Sequence, residues 1–317
     1  MALIDKLTAI ANAIRSKTGK TDSMTLDQMA TEIANIQNGS GDFNAIIERT
    51  STNPTLPDDL TSIGDYTFYC YTTLANISIP DGVTSIGTCA FSNCSNLSLS
   101  SLPSGLTKLG DNAFYECNKL VITSLPSGLT EIGSYAFYNC RKITLPSIPE
   151  GITKINEYTF YGCTELNLTS LPSGITTIGA WSFENCSNLS LTSLPDSITD
   201  IYGGAFKACT ELSITDLPSS LNTINAEAFR NCNKLTNITI PEGVTTIGSE
   251  AFASCTGLTT VTFKGKPTTM WADIFKYSTN LTTINVPWAE GAVSNAPWGA
   301  TNATINYNYT AQEMPST

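Results

Sequence analysis

The chain predicts a parallel β-solenoid of ten 23-residue coils, mostly β with short helical or 3-10 turns, preceded by a small helical hairpin. Three observations carry this. A phenylalanine recurs every 23 residues without a slip, a proline ends a short β-branched run in nine of ten units, and two amphipathic segments precede the first unit. A repeat this strict means that each unit is one coil, which buries its apolar face against its neighbours.

The repeating residue is Phe68, Phe91, Phe114, Phe137, Phe160, Phe183, Phe206, Phe229, Phe252 and Phe275. Five places before it stands an aliphatic residue, from Ile63 to Met270, and six places after it Leu or Ile, from Leu74 to Leu281. The run from that leucine to the proline, as at Leu74 to Ile79 and Leu235 to Ile240, is short and β-branched. It predicts a strand, with all such strands stacked in one parallel sheet. Pro-x-Gly, as at Pro103 to Gly105, predicts a turn in which Pro fixes φ and Gly takes positive φ. The chain then returns through Ile-Gly to Ala-Phe-x-x-Cys, expected to be one turn of helix or 3-10 helix, with small residues such as Ala90 and Ala113 where coils crowd.

The pattern Leu-x-x-Ile-x-Ile-Pro-x-x-Val-x-x-Ile-Gly-x-x-Ala-Phe-x-x-Cys, read from Leu235 to Cys255, resembles the BspA or Treponema-type leucine-rich repeat, and the likeness spans residues 56–287. The resemblance implies a leucine-rich-repeat solenoid of the kind known from bacterial surface and adhesion proteins, and such a scaffold fixes no partner. The middle units depart from the pattern: Leu97-Ser-Leu-Ser-Ser-Leu-Pro moves one apolar residue from the fourth place of the run to the third.

In residues 1–37, Leu3, Ile4, Leu7, Ile10, Ala11 and Ile14 share one helical face. A second helix opens at Thr25, with Thr25-Leu-Asp-Gln28 as a capping box and Leu26, Met29, Ala30, Ile33 and Ile36 as its stripe. A hairpin with so little core of its own is expected to attach the chain to other proteins or to sister chains, as a homo-oligomer. Residues 38–55 read as a linker, Asn38-Gly-Ser-Gly-Asp, and a cap strand from Phe43 to Arg49. Residues 288–317 read as a cap and tail in which Trp288 and Trp298 cover the last coil. The hairpin resembles a module of tail and minor structural proteins of phages and prophages of Gram-positive hosts. The stretch Val286 to Tyr307 is similar to a segment at the C-termini of phage structural chains. These resemblances imply a virion tail, released by lysis, whereas the repeat family implies a bacterial cell surface. The first ten residues lack the continuous apolar run of a secretory signal, and no stretch approaches 18 apolar residues, so neither signal-directed export nor membrane insertion is expected.

Histidine is absent, which removes histidine-based triads and His-ligated zinc or haem. Lys plus Arg number 16 against 27 Asp plus Glu, a net charge of −11, which argues against nucleic acid and anionic membranes as partners. Eight of the ten cysteines, from Cys94 to Cys255, stand three places after the Phe, and no Cys-x-x-Cys pair exists. They are expected to be small buried ladder residues with free thiols. Cys70 and Cys89 stand off the ladder and are the better candidates for reactivity. No phosphate loop, Gly-x-Ser-x-Gly elbow or calcium loop occurs, so no enzyme, cofactor or metal is expected.

Two places before the Phe stand Tyr66, Tyr135, Tyr158 and Trp181, and one place after it Tyr69, Tyr115, Tyr138 and Tyr161. A spacing of three puts both sets on one outward side of a helical turn. They are the candidate ligand-binding residues, an aromatic strip suited to stacking sugar rings or anchoring a protein. The competing reading is half-buried filler between coils. Later coils carry Lys207, Glu227, Arg230, Glu250 and Lys276 at these places, so the strip is polarised toward the N-terminal half. A second row, Ser100, Ser101, Thr123, Ser124, Thr169, Ser170, Thr192 and Ser193, reads as a hydrated ladder or as a row that meets a glycan. The expected function is non-enzymatic recognition of a bacterial surface protein or glycan, multiplied by display of several copies on a tail. A bacterial surface adhesin and an inert spacer are the rivals.

Overall fold

The computed structural model describes Arg49 and residues 51–310. The expected hairpin, the linker from Asn38 and the cap strand before Arg49 lie outside these residues. The described chain is a parallel β-solenoid that divides into two compact units, one running through Leu145 together with Thr159–Leu166, the other Pro146–Tyr158 together with the chain from Asn167.

In each unit the core is a set of stacked columns. Phe68, Phe91, Phe114, Phe137 and Phe160 stack face to face in the first unit, with centroids 4.9 to 5.7 Å apart. Phe183, Phe206, Phe229, Phe252 and Phe275 do so in the second, at 5.2 to 6.0 Å. All ten are buried, as are the aliphatic columns on either side. Each ring removed from water stabilises the coil by about 2–3 kcal/mol, which no coil gains alone.

The expected helical turn is absent. Among the described residues there is no helix, and Ala-Phe-x-x-Cys is a run of tight turns. The N–H groups of Tyr66, Phe68 and Cys70 donate to the carbonyls of Thr88, Ala90 and Ser92 in the next coil at 2.9, 2.7 and 2.7 Å. Those of Tyr69 and Tyr71 close turns onto Tyr66 and Phe68 at 3.1 and 3.0 Å. A helical turn points all its N–H groups one way along its own axis, so they cannot alternate between its own carbonyls and the neighbouring coil. Sending alternate peptides along the stack instead requires left-handed backbone two places before and two places after the Phe, as at Tyr66 (φ 58°), Cys70 (φ 56°), Tyr135 (φ 58°) and Asn139 (φ 55°). For side chains other than glycine this backbone costs roughly 1–2 kcal/mol per residue, offset by the inter-coil bonds and the buried ring.

Strands also fall elsewhere than expected. The continuous ladders run through two-residue strands at the returning Thr-Ile. In the first unit β1 (Ser62–Ile63), β2 (Ser85–Ile86), β3 (Lys108–Leu109) and β4 (Glu131–Ile132) form one parallel sheet in that order. In the second, β5 (Lys154–Ile155), β6 (Thr177–Ile178), β7 (Asp200–Ile201), β8 (Thr223–Ile224), β10 (Thr246–Ile247) and β12 (Thr269–Met270) form another. Among the described residues, the runs that follow the repeat Leu form a sheet only at β9 (Asn237–Ile240), β11 (Thr260–Phe263) and β13 (Thr283–Asn285), to which β14 (Thr304–Asn306), beyond the last repeat, adds a fourth strand. Among the described residues there are thus three parallel sheets in place of one. Periodicity explains the loss: Asn237–Ile240 alternates exposed and buried residues, as a strand must, whereas Leu99 and Leu102 are both buried three places apart.

The Pro-x-Gly turn is correct in place and different in kind. The Val83 N–H closes it onto the Pro80 carbonyl at 3.0 Å, and Gly82, Gly105 and Gly128 all lack positive φ, as in a type I turn. A tightly packed glycine stands after the returning aliphatic residue, a place that Asn156, Tyr202, Asn225 and Trp271 take in other coils. A Cβ on Gly110 would lie 2.6 Å from the carbonyl carbon of Gly87 in the preceding coil.

The eight ladder cysteines are buried, and within each unit their Sγ–H groups donate to the carbonyl of the preceding coil's Phe, for example Cys94 to Phe68 at 3.1 Å and Cys140 to Phe114 at 3.0 Å. At the C-terminal end Trp288 meets Phe263 edge-on at 5.3 Å and Trp298, fully buried, packs 6.1 Å from the same ring. Here the 23-residue register ends, since β13 pairs with β14 at an offset of 21.

Candidate functional site

Left-handed backbone two places before the Phe and a turn closing one place after it bring the two aromatic positions together. Tyr66 meets Tyr69 edge-on at 5.7 Å, and Tyr135 lies tilted 37° against Tyr138 at 5.8 Å. The spacing of three therefore does what the helix was expected to do, through a different backbone.

Within each unit, ring contacts join the eight candidate residues. Tyr66 and Tyr69 stand together in the first coil, and the next coil interrupts the column with Cys89 and Ser92. Tyr115, Tyr138 and Tyr161 then stack as a column, at 4.7 Å and 12° for the first pair and 4.5 Å and 3° for the second, with Tyr135 against the middle ring. In the second unit Tyr158 stacks on Trp181 at 5.2 Å. Tyr66 is 37% exposed and the other seven are half-buried. Gly204 makes room for the indole, since a Cβ there would strike the Trp181 ring.

Burial, reinforced by the neighbouring Tyr161 and Tyr115 phenols and by Glu116, pushes the Tyr138 hydroxyl up to about 12. Burial and then Glu116 raise Tyr115. Tyr66 is raised first by the Cys89 thiol beside it and then by burial. At neutral pH these phenols are uncharged hydrogen-bonding groups.

The same two places in the second unit carry a chain of ion pairs. Lys207 Nζ lies 3.5 Å from Glu184 and 2.7 Å from Glu227, and Arg230 lies 3.6 Å from Glu227 and 2.6 Å from Glu250. Burial raises the Glu184 carboxyl, against the pull of Lys207. Burial is also the largest single influence on Lys207 and opposes its charge, but the Glu227 hydrogen bond and the Glu184 and Glu227 charges together outweigh it and raise the ammonium.

The thiols are poorly suited to chemistry. Burial pushes Cys94 and Cys255 up to about 12, and Cys117, Cys140, Cys209 and Cys232 also well above the ordinary range. Cys89 is half-buried and likewise raised, by burial first, so it is a weak nucleophile. Among the described residues no group of three or more Cys, Asp or Glu could hold a metal ion, and no helix is long and apolar enough to cross a membrane. Sequence reasoning missed two members of the ladder position: Tyr71, whose hydroxyl reaches the Ser51 carbonyl at 2.6 Å, and Ser278, whose hydroxyl reaches the Phe252 carbonyl at 2.7 Å. Both stand three places after a repeat Phe, so the register itself was the signal.

The architecture has known counterparts. A leucine-rich cell surface protein from Faecalibacterium prausnitzii is 22% identical, with 83% of this chain and 89% of that one covered at a TM-score of 0.50. A leucine-rich repeat protein from Eubacterium ventriosum is 23% identical over 74% of each chain, at 0.48. The pneumococcal vaccine antigen PcpA is 20% identical over 74% of this chain and 67% of that one, also at 0.48. No curated protein sequence matches the chain. The model of the BspA type leucine rich repeat region matches in six copies, over residues 45–167 and 154–282. With the 23-residue register, the inter-coil turns and that match in agreement, the chain belongs to the BspA-type leucine-rich repeat family.

Proposed function

We propose that the protein is a non-enzymatic recognition scaffold whose tyrosine column engages a protein on a bacterial surface. The observation that carries this is the stack of Tyr115, Tyr138 and Tyr161. Both faces of Tyr138 are covered by its neighbours, so a sugar ring has no face of it to stack on, and a partner meets ring edges and phenol groups. Half-buried tyrosines already fixed in place lose little entropy on binding and suit a protein interface. The resemblance of the flanking segments to phage tail modules supports a tail as the carrier, where several copies multiply weak contacts. A second reading, a bacterial cell-surface adhesin, is favoured by the likeness to the Faecalibacterium cell surface protein.

The test is binding of fluorescently labelled full-length protein to intact Gram-positive bacteria, beside a variant carrying Tyr115→Ser, Tyr138→Ser and Tyr161→Ser. Saturable binding that the variant loses while its circular dichroism is unchanged supports the reading. Binding that the variant keeps moves the site elsewhere, and absence of binding favours a spacer.

A further inference from the structure

We propose that a polar groove between the Leu-to-Pro runs of the first two coils binds a single pyranose unit of a neutral glycan. The groove encloses about 240 Å³ and is bordered by Asn76, Ser78, Asp81, Ser100 and Ser101. At about 30 Å³ per water, that space takes one hexose and a few waters.

The groove exists because two neighbouring runs bury different places. The first coil buries Leu74 and Ile77, whereas the second buries Leu97, Leu99 and Leu102. The Ser98 N–H still donates to the Ala75 carbonyl at 2.8 Å. Beyond it, among the described residues, no backbone N–H from Leu99 to Leu102 makes a hydrogen bond within the chain. The runs separate there, and the five polar side chains line the opening between them. In the second unit the equivalent runs β9 and β11 pair residue for residue from Asn237 with Thr260 to Ile240 with Phe263.

The lining specifies the ligand. Asn76 Oδ1 accepts the Ile77 N–H at 2.9 Å, which fixes the amide and leaves Nδ2 as its donor to a ligand. Asp81 Oδ1 accepts the Ser104 N–H at 3.4 Å, which orients the carboxylate while its second oxygen remains an acceptor. A carboxylate, an amide and three hydroxyls that line one groove with Leu99 and Leu102 match the alternating hydroxyls and C–H groups of a sugar ring. One carboxylate and no cation disfavour phosphates and acidic sugars. No aromatic ring lines the groove, so affinity rests on hydrogen bonds and is weak for one sugar.

Saturation-transfer difference NMR on the full-length chain tests this with methyl α-glucopyranoside, methyl β-galactopyranoside, methyl α-mannopyranoside and N-acetylglucosamine. At least one of the four is expected to bind with a dissociation constant of about 1 mM. Ser101→Trp fills the groove from an exposed position and should weaken that binding at least tenfold, and Asp81→Asn should weaken it measurably. Ser193→Trp, the same place in a coil of the second unit, should leave it unchanged, as should the triple tyrosine variant, so this site and the tyrosine column fail separately. Transfer to none of the four sugars, or transfer undiminished in Ser101→Trp, overturns the proposal.

Discussion

The Sγ of Cys117 donates to the backbone carbonyl of Phe91, 3.1 Å away and 26 residues earlier in the chain. The bond makes cysteine more than a small apolar filler, because it ties its coil to the one before it at the carbonyl of the buried Phe. Ser278 does the same with a hydroxyl at the end of the column.

Cys117→Ala therefore removes both a donor and a buried sulfur, and should cost about 1–2 kcal/mol. Cys117→Ser keeps the donor and should cost less than Cys117→Ala, and Ser278→Cys should be close to neutral. Thermal unfolding midpoints of the three variants, at matched concentration, check the order.

Thiol accessibility follows from the same column. In the native protein at pH 7.5, a disulfide reagent should modify only Cys70 and Cys89, the two half-buried thiols, and all ten after denaturation. More than two rapid thiols in the native state would mean that the coils open far more readily than this packing implies.

Alkaline pH should unfold the protein. Cys94 and Cys255 hold their protons to about 12 when folded, against 9.0 for the free thiol. Their folded values are raised, so the stability they contribute is fully present below pH 9 and is lost as pH climbs from 9 through 12. Each such thiol removes about 1.4 kcal/mol per pH unit in that window. Thiolate absorbance should stay low above pH 9 and then rise together with loss of the far-ultraviolet dichroism. A rise ahead of unfolding that amounts to more than the two half-buried thiols contradicts this.

Glycine replacements should divide sharply. Gly110→Ala places a Cβ 2.6 Å from backbone, and Gly204→Ala strikes the Trp181 ring from a left-handed backbone of φ 63°. Both should destabilise by about 2 kcal/mol or more. Gly174 has nothing within 4 Å of a Cβ and negative φ, so Gly174→Ala should be neutral or stabilise by about 0.4–1 kcal/mol. Chemical denaturation of the three variants separates them.

The sequence made some of this legible and hid the rest for identifiable reasons. The 23-residue register, the buried Phe and Cys columns and the pairing of Tyr135 with Tyr138 could all be read, because they depend only on which residues recur. The backbone between them could not. Tyr, Trp and Glu occupy left-handed positions that local preference disfavours, as at Tyr158, Trp181 and Glu227, because the neighbouring coil dictates the direction of the peptide. Asn93, Asn139, Asn185 and Asn231, which tolerate that backbone, were the available hint. The strand at Leu97 to Leu102 was lost because its apolar spacing changed from two to three, a detail outweighed by β-branched content in neighbouring units. At the tyrosine column the sequence placed the rings on one side, but their stacking on each other, which covers both faces of Tyr138, depends on the turn backbone that it hid.

The most direct measurement of the central claim is the binding isotherm of the labelled full-length protein on bacteria treated beforehand with protease or with periodate. Recognition of a surface protein through the tyrosine column predicts that protease abolishes the saturable, column-dependent binding while periodate leaves it intact. Binding that survives protease and disappears after periodate would contradict the account and make a glycan the ligand of that face.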